Sequence, residues 1–428
     1  MSLITACVFA CLLPIADHQW PAFLGAGASE VSADTIPVTW SEAENIAWQA
    51  ELSGYGQSSP VIWNDTVYVT SVEGDMKEEF HITALKLSDG SEIWKHSLTN
   101  SDQMESNIYV SRAAPTPVVD ADGLFVFFES GDMVALSHDG EVKWERSLSA
   151  EYGKYDSRFG MGASLAQTQN AIYVLADHEG PAYVMAIDKK SGENLWKTER
   201  KSRVAWSSPS IVMVDGKPIL VVSSEGSVDG YDTTNGEQLF SYDEVGGNNV
   251  CTPLDSGDGR FLVGASPGQQ GEDRGLAGES NVMMQIVTDG GEPKLEKVWT
   301  AEKAMASFCS PLVYRGYAYW LNRTGVVVCC DAKTGELKYQ ERIAQPCWAS
   351  PMGVGDRIYF VGQKGVTTVL QAGPEFKVLA ENKLYEEAPA DGNDRFGGRT
   401  EYGVVAVNGS LLIRTGDVLY CLRNSDAE

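Results

Sequence analysis

Arginines recur in this sequence a few residues before segments that open with a small residue, a hydroxyl and proline, and aromatic residues occupy the same connections. Guanidinium groups pair with carboxylates and phosphates, and aromatic rings offer flat apolar faces. If these connections meet around one opening, they form a binding site for an anionic, planar ligand or an acidic peptide. The alternative is that each arginine pairs with a nearby acid such as Glu105, Asp156 or Asp394. The candidate binding residues are Arg112, Arg158, Arg203, Trp206, Trp348, Arg399 and Tyr402.

The sequence predicts no catalytic or metal-binding residues beside this group. The five histidines lack the spacing of metal ligands. Two segments, 120–123 and 255–259, resemble fragments of calcium loops, but both fall where hairpin turns are needed. The sequence contains no Gly-x-Ser-x-Gly, phosphate-binding glycine loop or Cys-x-x-Cys.

A repeated hairpin must position the candidate residues. In residues 186–197 a strand ends near Ala186, a turn contains Gly192, and a second strand ends at Trp196. Glycine permits the positive φ of a tight turn, and the aromatic residue needs a neighbouring unit to bury its face. Similar spacing of a small residue, a glycine and an aromatic occurs at 84–94, 135–144, 230–240 and 329–339.

A second recurring signal opens a strand with a hydroxyl or small residue before proline, as in Ser58-Ser59-Pro60 and Ser207-Ser208-Pro209. Proline is tolerated at the first residue of a strand. Weaker openings at 162–164 and 401–403 bring the number of units to eight. Each unit holds four strands, and the units repeat at about 40–50 residues, which is typical of propeller blades.

The chain ends are predicted to share one blade. The unit from Tyr402 to Arg423 lacks an outer strand, while a strand around Trp48 has no hairpin before it. The fold class is therefore an all-β, eight-bladed β-propeller of four-stranded antiparallel blades, whose last blade is closed by the N-terminal strand beside Val418–Leu422. One longer repeat holds a glycine-rich insertion, Gly268–Asn281, without strand character.

The repeated hairpin with its Ser/Thr-Pro opening resembles the pyrroloquinoline-quinone-type repeat over nearly the whole chain after the leader. That eight-bladed superfamily includes quinone-dependent alcohol dehydrogenases and the propeller subunit of the outer-membrane β-barrel assembly machinery. The lead-in Trp20-Pro21-Ala22-Phe23-Leu24-Gly25 is similar to that of many exported propellers. The resemblance implies a fold more than an activity, since one fold hosts many functions.

The resemblance also raises pyrroloquinoline quinone with calcium as a cofactor, because quinone alcohol dehydrogenases place a vicinal disulfide against it. Cys329 and Cys330 are adjacent here, but they fall in the third strand of a unit, where Cys329 occupies the column of Ala84 and Ala186. Neighbouring side chains of a strand point to opposite faces, which favours two buried thiols. The calcium-binding set of those enzymes is not assigned, so no cofactor is predicted. Structural thiols are also favoured over disulfides for the other cysteines.

Composition restricts the partners. The chain has 428 residues, with 33 basic and 59 acidic side chains and a net charge of −26, which argues against nucleic acid or anionic lipid. Residues 1–16 are predicted to be a signal segment and 17–428 a single propeller domain; no later segment reads as transmembrane. We expect an exported monomer in the periplasm or envelope.

The predicted function is that of a non-enzymatic binding or scaffold protein, whose partner is an unknown protein or an anionic small molecule bound around the axial channel. Two alternatives stay open: a quinone-dependent dehydrogenase and an envelope-assembly subunit.

Overall fold

In a computed structural model the chain forms eight β-sheets that are the blades of a propeller. The structure describes residues 19–25, 30–31, 35–103, 111–247, 250–267, 274–386, 402–407 and 409–425. The predicted signal segment, 1–16, lies outside them. Three short N-terminal strands each join a sheet otherwise built from later strands. They are β1 (Gln19–Trp20), β2 (Glu30–Val31) and β3 (Ile46–Glu51).

The first four blades follow one another along the chain, each running from an inner to an outer strand. Blade 1 contains β4 (Val61–Trp63), β5 (Thr66–Glu73), β6 (Glu79–Lys86) and β7 (Glu92–Thr99), and blade 2 contains β8 (Val118–Asp120), β9 (Gly123–Phe127), β10 (Asp132–Leu136) and β11 (Val142–Ser147), which the helix α1 (Leu148–Tyr152) follows. Blade 3 contains β12 (Ala166–Gln167), β13 (Ala171–Ala176), β14 (Tyr183–Asp188) and β15 (Asn194–Glu199), and blade 4 contains β16 (Ser210–Val214), β17 (Lys217–Ser224), β18 (Ser227–Asp232) and β19 (Gln238–Tyr242).

The remaining blades continue the pattern, with β1 added to blade 1, β2 to blade 7 and β3 to blade 8. Blade 5 contains β20 (Arg260–Val263), the helix α2 (Arg274–Glu279), β21 (Val282–Asp289) and β22 (Glu292–Thr300), and blade 6 contains β23 (Leu312–Tyr314), β24 (Tyr317–Leu321), β25 (Val326–Asp331) and β26 (Leu337–Arg342). Blade 7 contains β27 (Met352–Val354), β28 (Arg357–Val361), β29 (Val366–Gln371) and β30 (Val378–Lys383), and blade 8 contains β31 (Gly403–Val407), β32 (Ser410–Arg414) and β33 (Val418–Leu422).

The predicted closure of the ring is confirmed. Strand β3 pairs antiparallel with β33, and Trp48 lies opposite Cys421. The N-terminal strand is thus the outer strand of blade 8, and the first and last segments of the chain complete one sheet. This arrangement pairs the β33 edge, which would otherwise be open to another chain.

Blade 5 departs from the predicted four strands. It has three strands, and its innermost position is reduced to a bridge between Asp255 and Phe261. The glycine-rich insertion also contains the six-residue helix α2 in its described part, and the first residues of that insertion lie outside the description.

Neighbouring blades are joined by tryptophan packing. Trp144 of blade 2 lies against the turn at Gly192 of blade 3, where a Cβ would come within 2.7 Å of the indole ring. Glycine is required at position 192 for two reasons: a Cβ would collide with the indole ring, and the φ of +73° is rarely adopted by other residues. The indole nitrogen donates to a turn carbonyl in the same way at five junctions. The pairs are Trp48–Leu87, Trp94–His138, Trp144–Lys189, Trp196–Thr233 and Trp299–Ala332, at 2.8–3.2 Å.

The cysteines of the described chain are buried free thiols, in agreement with the structural interpretation. Cys329 lies opposite Tyr339 in the column where Ala186 lies opposite Trp196. Burial raises the pKa of Cys329 to about 12 and that of Cys330 to about 11, so both thiols stay protonated. Neither helix of the described residues is long and apolar enough to cross a membrane.

Candidate functional site

A ring of hydroxyl groups explains the recurring Ser/Thr-Pro openings. The hydroxyl residue of one blade accepts a hydrogen bond from the backbone N–H of the same position in the preceding blade. Except after Ser164, where Leu165 follows, the next residue is a proline, which has a fixed φ and no N–H to satisfy. Six such bonds of 2.9–3.1 Å connect Ser59 to Thr116, Thr116 to Ser164, Ser164 to Ser208, Ser208 to Thr252, Thr252 to Ser310 and Ser310 to Ser350.

Blade 8 has no hydroxyl at this position. Gly403 replaces it, and a Cβ there would come within 2.7 Å of Ser59 in blade 1. The ring is therefore completed by close backbone packing, which explains why the opening at 401–403 is weak in sequence.

The hydroxyl ring surrounds a cavity of about 720 Å³ in the axial channel. Volumes of about 300–1,000 Å³ are typical of ligand sites. Seven wall residues occupy one repeat position, two residues before the hydroxyl of their blade. They are Gln57, Ala114, Gly162, Trp206, Val250, Phe308 and Trp348.

One side of the cavity is lined by an arc of aromatic rings from blades 6, 7 and 8, and Tyr55, which precedes blade 1, contacts this arc. Phe308 and Trp348 are stacked with ring centroids 4.6 Å apart, and Tyr402 meets Trp348 edge-on at 5.9 Å. Tyr55 extends the arc edge-on to Tyr402 at 6.1 Å, and the two hydroxyls share a hydrogen bond. Each contact fixes the orientation of the next ring.

The buried Arg414 supports this arc from behind. Its guanidinium donates to the carbonyls of Ser58 and Thr70 in blade 1, at 2.8 and 2.6 Å. Because the group is fully buried, its pKa falls to about 10. The guanidinium of Arg414 therefore joins blades 8 and 1 through its hydrogen bonds to backbone carbonyls.

The opposite side of the cavity is acidic. Glu129, Glu179 and Glu225 lie in the turn between the second and third strands of blades 2, 3 and 4, and all three line the cavity. The latter two are exposed at the mouth, whereas Glu129 is 2% exposed. Three successive blades thus supply a carboxylate from the same turn of the blade.

Glu129 is held by backbone donors. Its carboxylate accepts hydrogen bonds from the N–H groups of Ala114 at 3.2 Å and Met161 at 3.3 Å. Desolvation raises its pKa to about 7, although these bonds and the charge of Arg112 act in the opposite direction. Within the described residues, no basic side chain lies within ion-pair distance of this carboxylate.

The three predicted arginines that the structure describes, Arg112, Arg158 and Arg203, do not meet at one place. Arg112 is buried and pairs with Asp102 at 3.2 Å, while Arg203 donates to the carbonyl of Glu225 and to the hydroxyl of Ser227. Their partners come from the 101–103 connection and from the turn of blade 4. Each of these two arginines is therefore held by its own neighbouring groups.

Arg158 is the described arginine that lines the cavity, and it lies over the Phe159 ring at 5.1 Å. Trp206, Trp348 and Tyr402 also line it, as predicted positions in the connections. Arg399 lies outside the described residues.

The described residues of the N-terminal lead-in contact the inner strands at the far end of the channel. Trp20 pairs with Ile62 of blade 1, the Pro21 carbonyl accepts from the N–H of Val119 and the side chain of Gln167, and Phe23 borders the cavity. Strand β2 then pairs in parallel with the inner strand of blade 7. The lead-in therefore contacts the inner strands of blades 1, 2, 3 and 7.

Comparison with known proteins places this architecture. A family model described as "Outer membrane protein assembly factor BamB" matches residues 37–160 and 154–269, more than half of the chain. The chain belongs to this family. No curated protein matches the sequence.

Solved structures similar to this BamB-family chain share its fold at low identity. The crystal structure of BamB from Moraxella catarrhalis aligns with a TM-score of 0.57 and 13% identity, covering 89% of this chain and 99% of that one. Quinohemoprotein alcohol dehydrogenase ADHIIG from Pseudomonas putida HK5 aligns with a TM-score of 0.58 and 12% identity, covering 96% and 81%. The computationally designed Ika8 protein gives 0.56 and 13%, covering 89% and 99%. At these identities the likeness concerns the fold alone.

The described residues do not fit a calcium-bound quinone. Pyrroloquinoline quinone is a flat, multiply anionic molecule, and the cavity wall presents three glutamates against Arg158. Within the described chain, no group of three His, Cys, Asp or Glu side chains could hold a metal ion. The adjacent Cys329 and Cys330 are buried within strand β25 as free thiols.

Sequence reasoning missed the glutamates and the aromatic residues Phe159, Phe308 and Tyr55. A usable signal exists for Phe308, which shares the repeat position of Trp206 and Trp348. Comparing columns of the repeat would have found it.

Proposed function

We propose that this protein is an exported, envelope-associated scaffold that binds a polypeptide segment of a partner protein in the axial cavity and performs no chemistry. The observation that carries this proposal is the pre-formed cavity of about 720 Å³ with stacked aromatic rings on its wall. Rigid aromatic side chains anchor partners at low entropic cost, and such residues dominate binding energies.

Two further findings support this function. The chain belongs to a family described as an outer membrane protein assembly factor, which is a role in binding other proteins. Among the residues that the structure describes, the buried, protonated thiols and the cavity wall of hydroxyls and glutamates supply no activated nucleophile with its base. The predicted leader at residues 1–16 supports export.

Site-specific photocrosslinking in the native envelope tests this proposal. A photoreactive phenylalanine replaces Trp348 in the cavity wall, and the control carries it at Leu195, a 51% exposed residue of the outer strand β15. We expect a discrete crosslinked partner at position 348, with the crosslink mapped by mass spectrometry to one segment of that partner. The same products at both positions, or none at 348, would contradict a cavity-binding scaffold.

The dehydrogenase alternative is tested separately. Saturable binding of pyrroloquinoline quinone with calcium, together with dye-linked alcohol oxidation by the purified protein, would replace the scaffold proposal. An anionic small molecule remains the other partner predicted from sequence, and the glutamates of the wall oppose it electrostatically.

A further inference from the structure

We propose that the bound segment places a lysine or arginine side chain, flanked by apolar residues, between the aromatic arc and the three glutamates of the cavity. This inference rests on the proposed function and adds the chemical class of the partner segment. The arginine pattern in the sequence predicts an anionic ligand, whereas the side chain inferred here is cationic.

The aromatic arc supplies the first half of the recognition. Phe308 is a large apolar side chain, yet 39% of it is exposed to solvent. Its ring is stacked on the ring of Trp348. An exposed stacked pair at a cavity mouth gains by covering its face. Aromatic faces carry negative quadrupole charge, so an ammonium or guanidinium group is attracted to them together with the apolar residues beside it.

The glutamates supply the second half. Glu129, Glu179 and Glu225 come from equivalent turns of consecutive blades, so their carboxylates form an arc across the cavity from the tryptophan and tyrosine rings. A cation between the two walls would meet a carboxylate on one side and a ring on the other. An anionic segment would face three like charges.

Glu129 is the wall residue whose surroundings most directly favour a cation in the cavity, although the charge of Arg112 already acts on it. It is 2% exposed and borders the cavity, yet its hydrogen bonds come only from backbone N–H groups. The nearby Arg112 is engaged with Asp102 instead. A buried carboxylate without an ion pair is costly, and a cation entering from the cavity would offset that cost.

The cavity wall already contains one contact of the proposed kind. The guanidinium of Arg158 lies 5.1 Å from the centre of the Phe159 ring, and Phe159 in turn meets Trp206 edge-on at 6.1 Å. The wall therefore accommodates a guanidinium on a ring. Arg158 itself is exposed at the rim and leaves the deeper Glu129 without an ion pair.

Calorimetric titration with three blocked peptides tests the inference. Their sequences are Ser-Gly-Phe-Xaa-Phe-Gly-Ser, where Xaa is lysine, norleucine or glutamate, so that only the charge of the central residue changes. We expect one-to-one binding of the lysine peptide at least about tenfold tighter than of the norleucine peptide, and no saturation by the glutamate peptide. The difference in affinity between the lysine and norleucine peptides should decrease at high salt, because salt screens the attraction between the lysine and the exposed glutamates.

Variants of the cavity locate the site. Trp348→Ala and Glu225→Gln should each weaken the lysine peptide about three- to tenfold, and Glu129→Gln about tenfold. Glu225 is exposed, so its variant keeps the test valid if Glu129→Gln folds poorly. The matched control is Glu199→Gln on an outer strand, whose side chain is 91% exposed and away from the cavity; it should leave the affinity unchanged.

The outcomes separate this inference from the proposed function. Equal binding of all three peptides, or tighter binding of the glutamate peptide, would overturn the cation inference while photocrosslinking at position 348 still supports a binding scaffold. Absence of binding by every peptide would also overturn it. Loss of crosslinking at 348 with retained charge-selective peptide binding would instead contradict the envelope partner.

Discussion

Glu129 shows how burial alone can give one carboxyl a distinct acid–base behaviour. Its pKa is raised from 4.5 to about 7 by desolvation, against the effect of the Arg112 charge and of three backbone donors. Among the described residues, the other charged groups on the wall of the same cavity are Arg158, Glu179 and Glu225. The protonation state of this residue therefore changes within the physiological pH range.

We predict that the Glu129 carboxyl titrates with a midpoint near 7. The folded state holds the proton more tightly than the unfolded chain, so this group stabilises the fold below about pH 4.5 and the stabilisation is lost as the pH rises through about 7. The loss amounts to up to about 3 kcal/mol of unfolding free energy. Carbon-13 NMR of the side-chain carboxyls, assigned with Glu129→Gln, gives the midpoint, and denaturant unfolding from pH 5 to 8 gives the energy. A midpoint below 5 would contradict the assignment.

At the scale of single residues, the position of a side chain can be predicted from sequence where a repeat column fixes it. Trp206 and Trp348 line the cavity because their place before the hydroxyl ring is set by the strand opening. The arginines lack such a column. Arg112 and Arg203 turn towards Asp102 and the turn of blade 4, which only the folded chain brings near. The glutamates of the cavity could not be predicted from their positions in turns, because most turns contain polar residues.

At the scale of elements, the junction between two blades depends on a ring lying on a glycine turn. The outer-strand tryptophan buries its face and donates its indole N–H to the adjacent carbonyl, as Trp144 does to Lys189 at 3.0 Å. The spacing of small residue, glycine and aromatic was visible in sequence because this contact recurs. Blade 5 was predicted less well, since its inner strand is reduced to a bridge and a helix interrupts it.

We predict that Gly192→Ala destabilises the protein more than Gly216→Ala does. Both glycines have nearly the same positive φ, +73° and +76°, so the backbone strain is matched. A Cβ meets the Trp144 ring at 2.7 Å in the first case and nothing within 4 Å in the second. We expect an additional loss of about 1–3 kcal/mol for Gly192→Ala, from displaced packing. Thermal and urea unfolding measure both variants, and equal losses would mean that the tryptophan contact does not join the blades.

The whole molecule is a ring whose two ends complete one sheet, and this part of the fold could be predicted in full. The unit after Tyr402 lacked an outer strand, and a strand around Trp48 lacked a hairpin. The lead-in was different: its sequence predicted turns, and nothing in it indicated that Trp20 and Phe23 would lie across the inner strands. Such placement depends on contacts between segments far apart in the chain.

We predict that removing residues 1–51, and with them β3, abolishes cooperative unfolding. The truncation exposes the β33 edge and uncovers Gly90, on which Trp48 packs. A synthetic peptide of residues 35–57 added in trans should restore a single thermal transition, because it supplies the missing strand. Circular dichroism melting and size-exclusion chromatography measure the outcome, with removal of residues 1–18 as the control. A truncated chain that melts like the control would contradict closure by the N-terminal strand.

In its described residues, the lead-in places Phe23 at the cavity wall and pairs with the inner strands of blades 1 and 7. A polypeptide guest of the proposed kind would therefore meet the lead-in between itself and the far end of the channel. Such a guest would be a loop tip or a chain terminus that withdraws by the route of its arrival, rather than a chain threaded along the propeller axis.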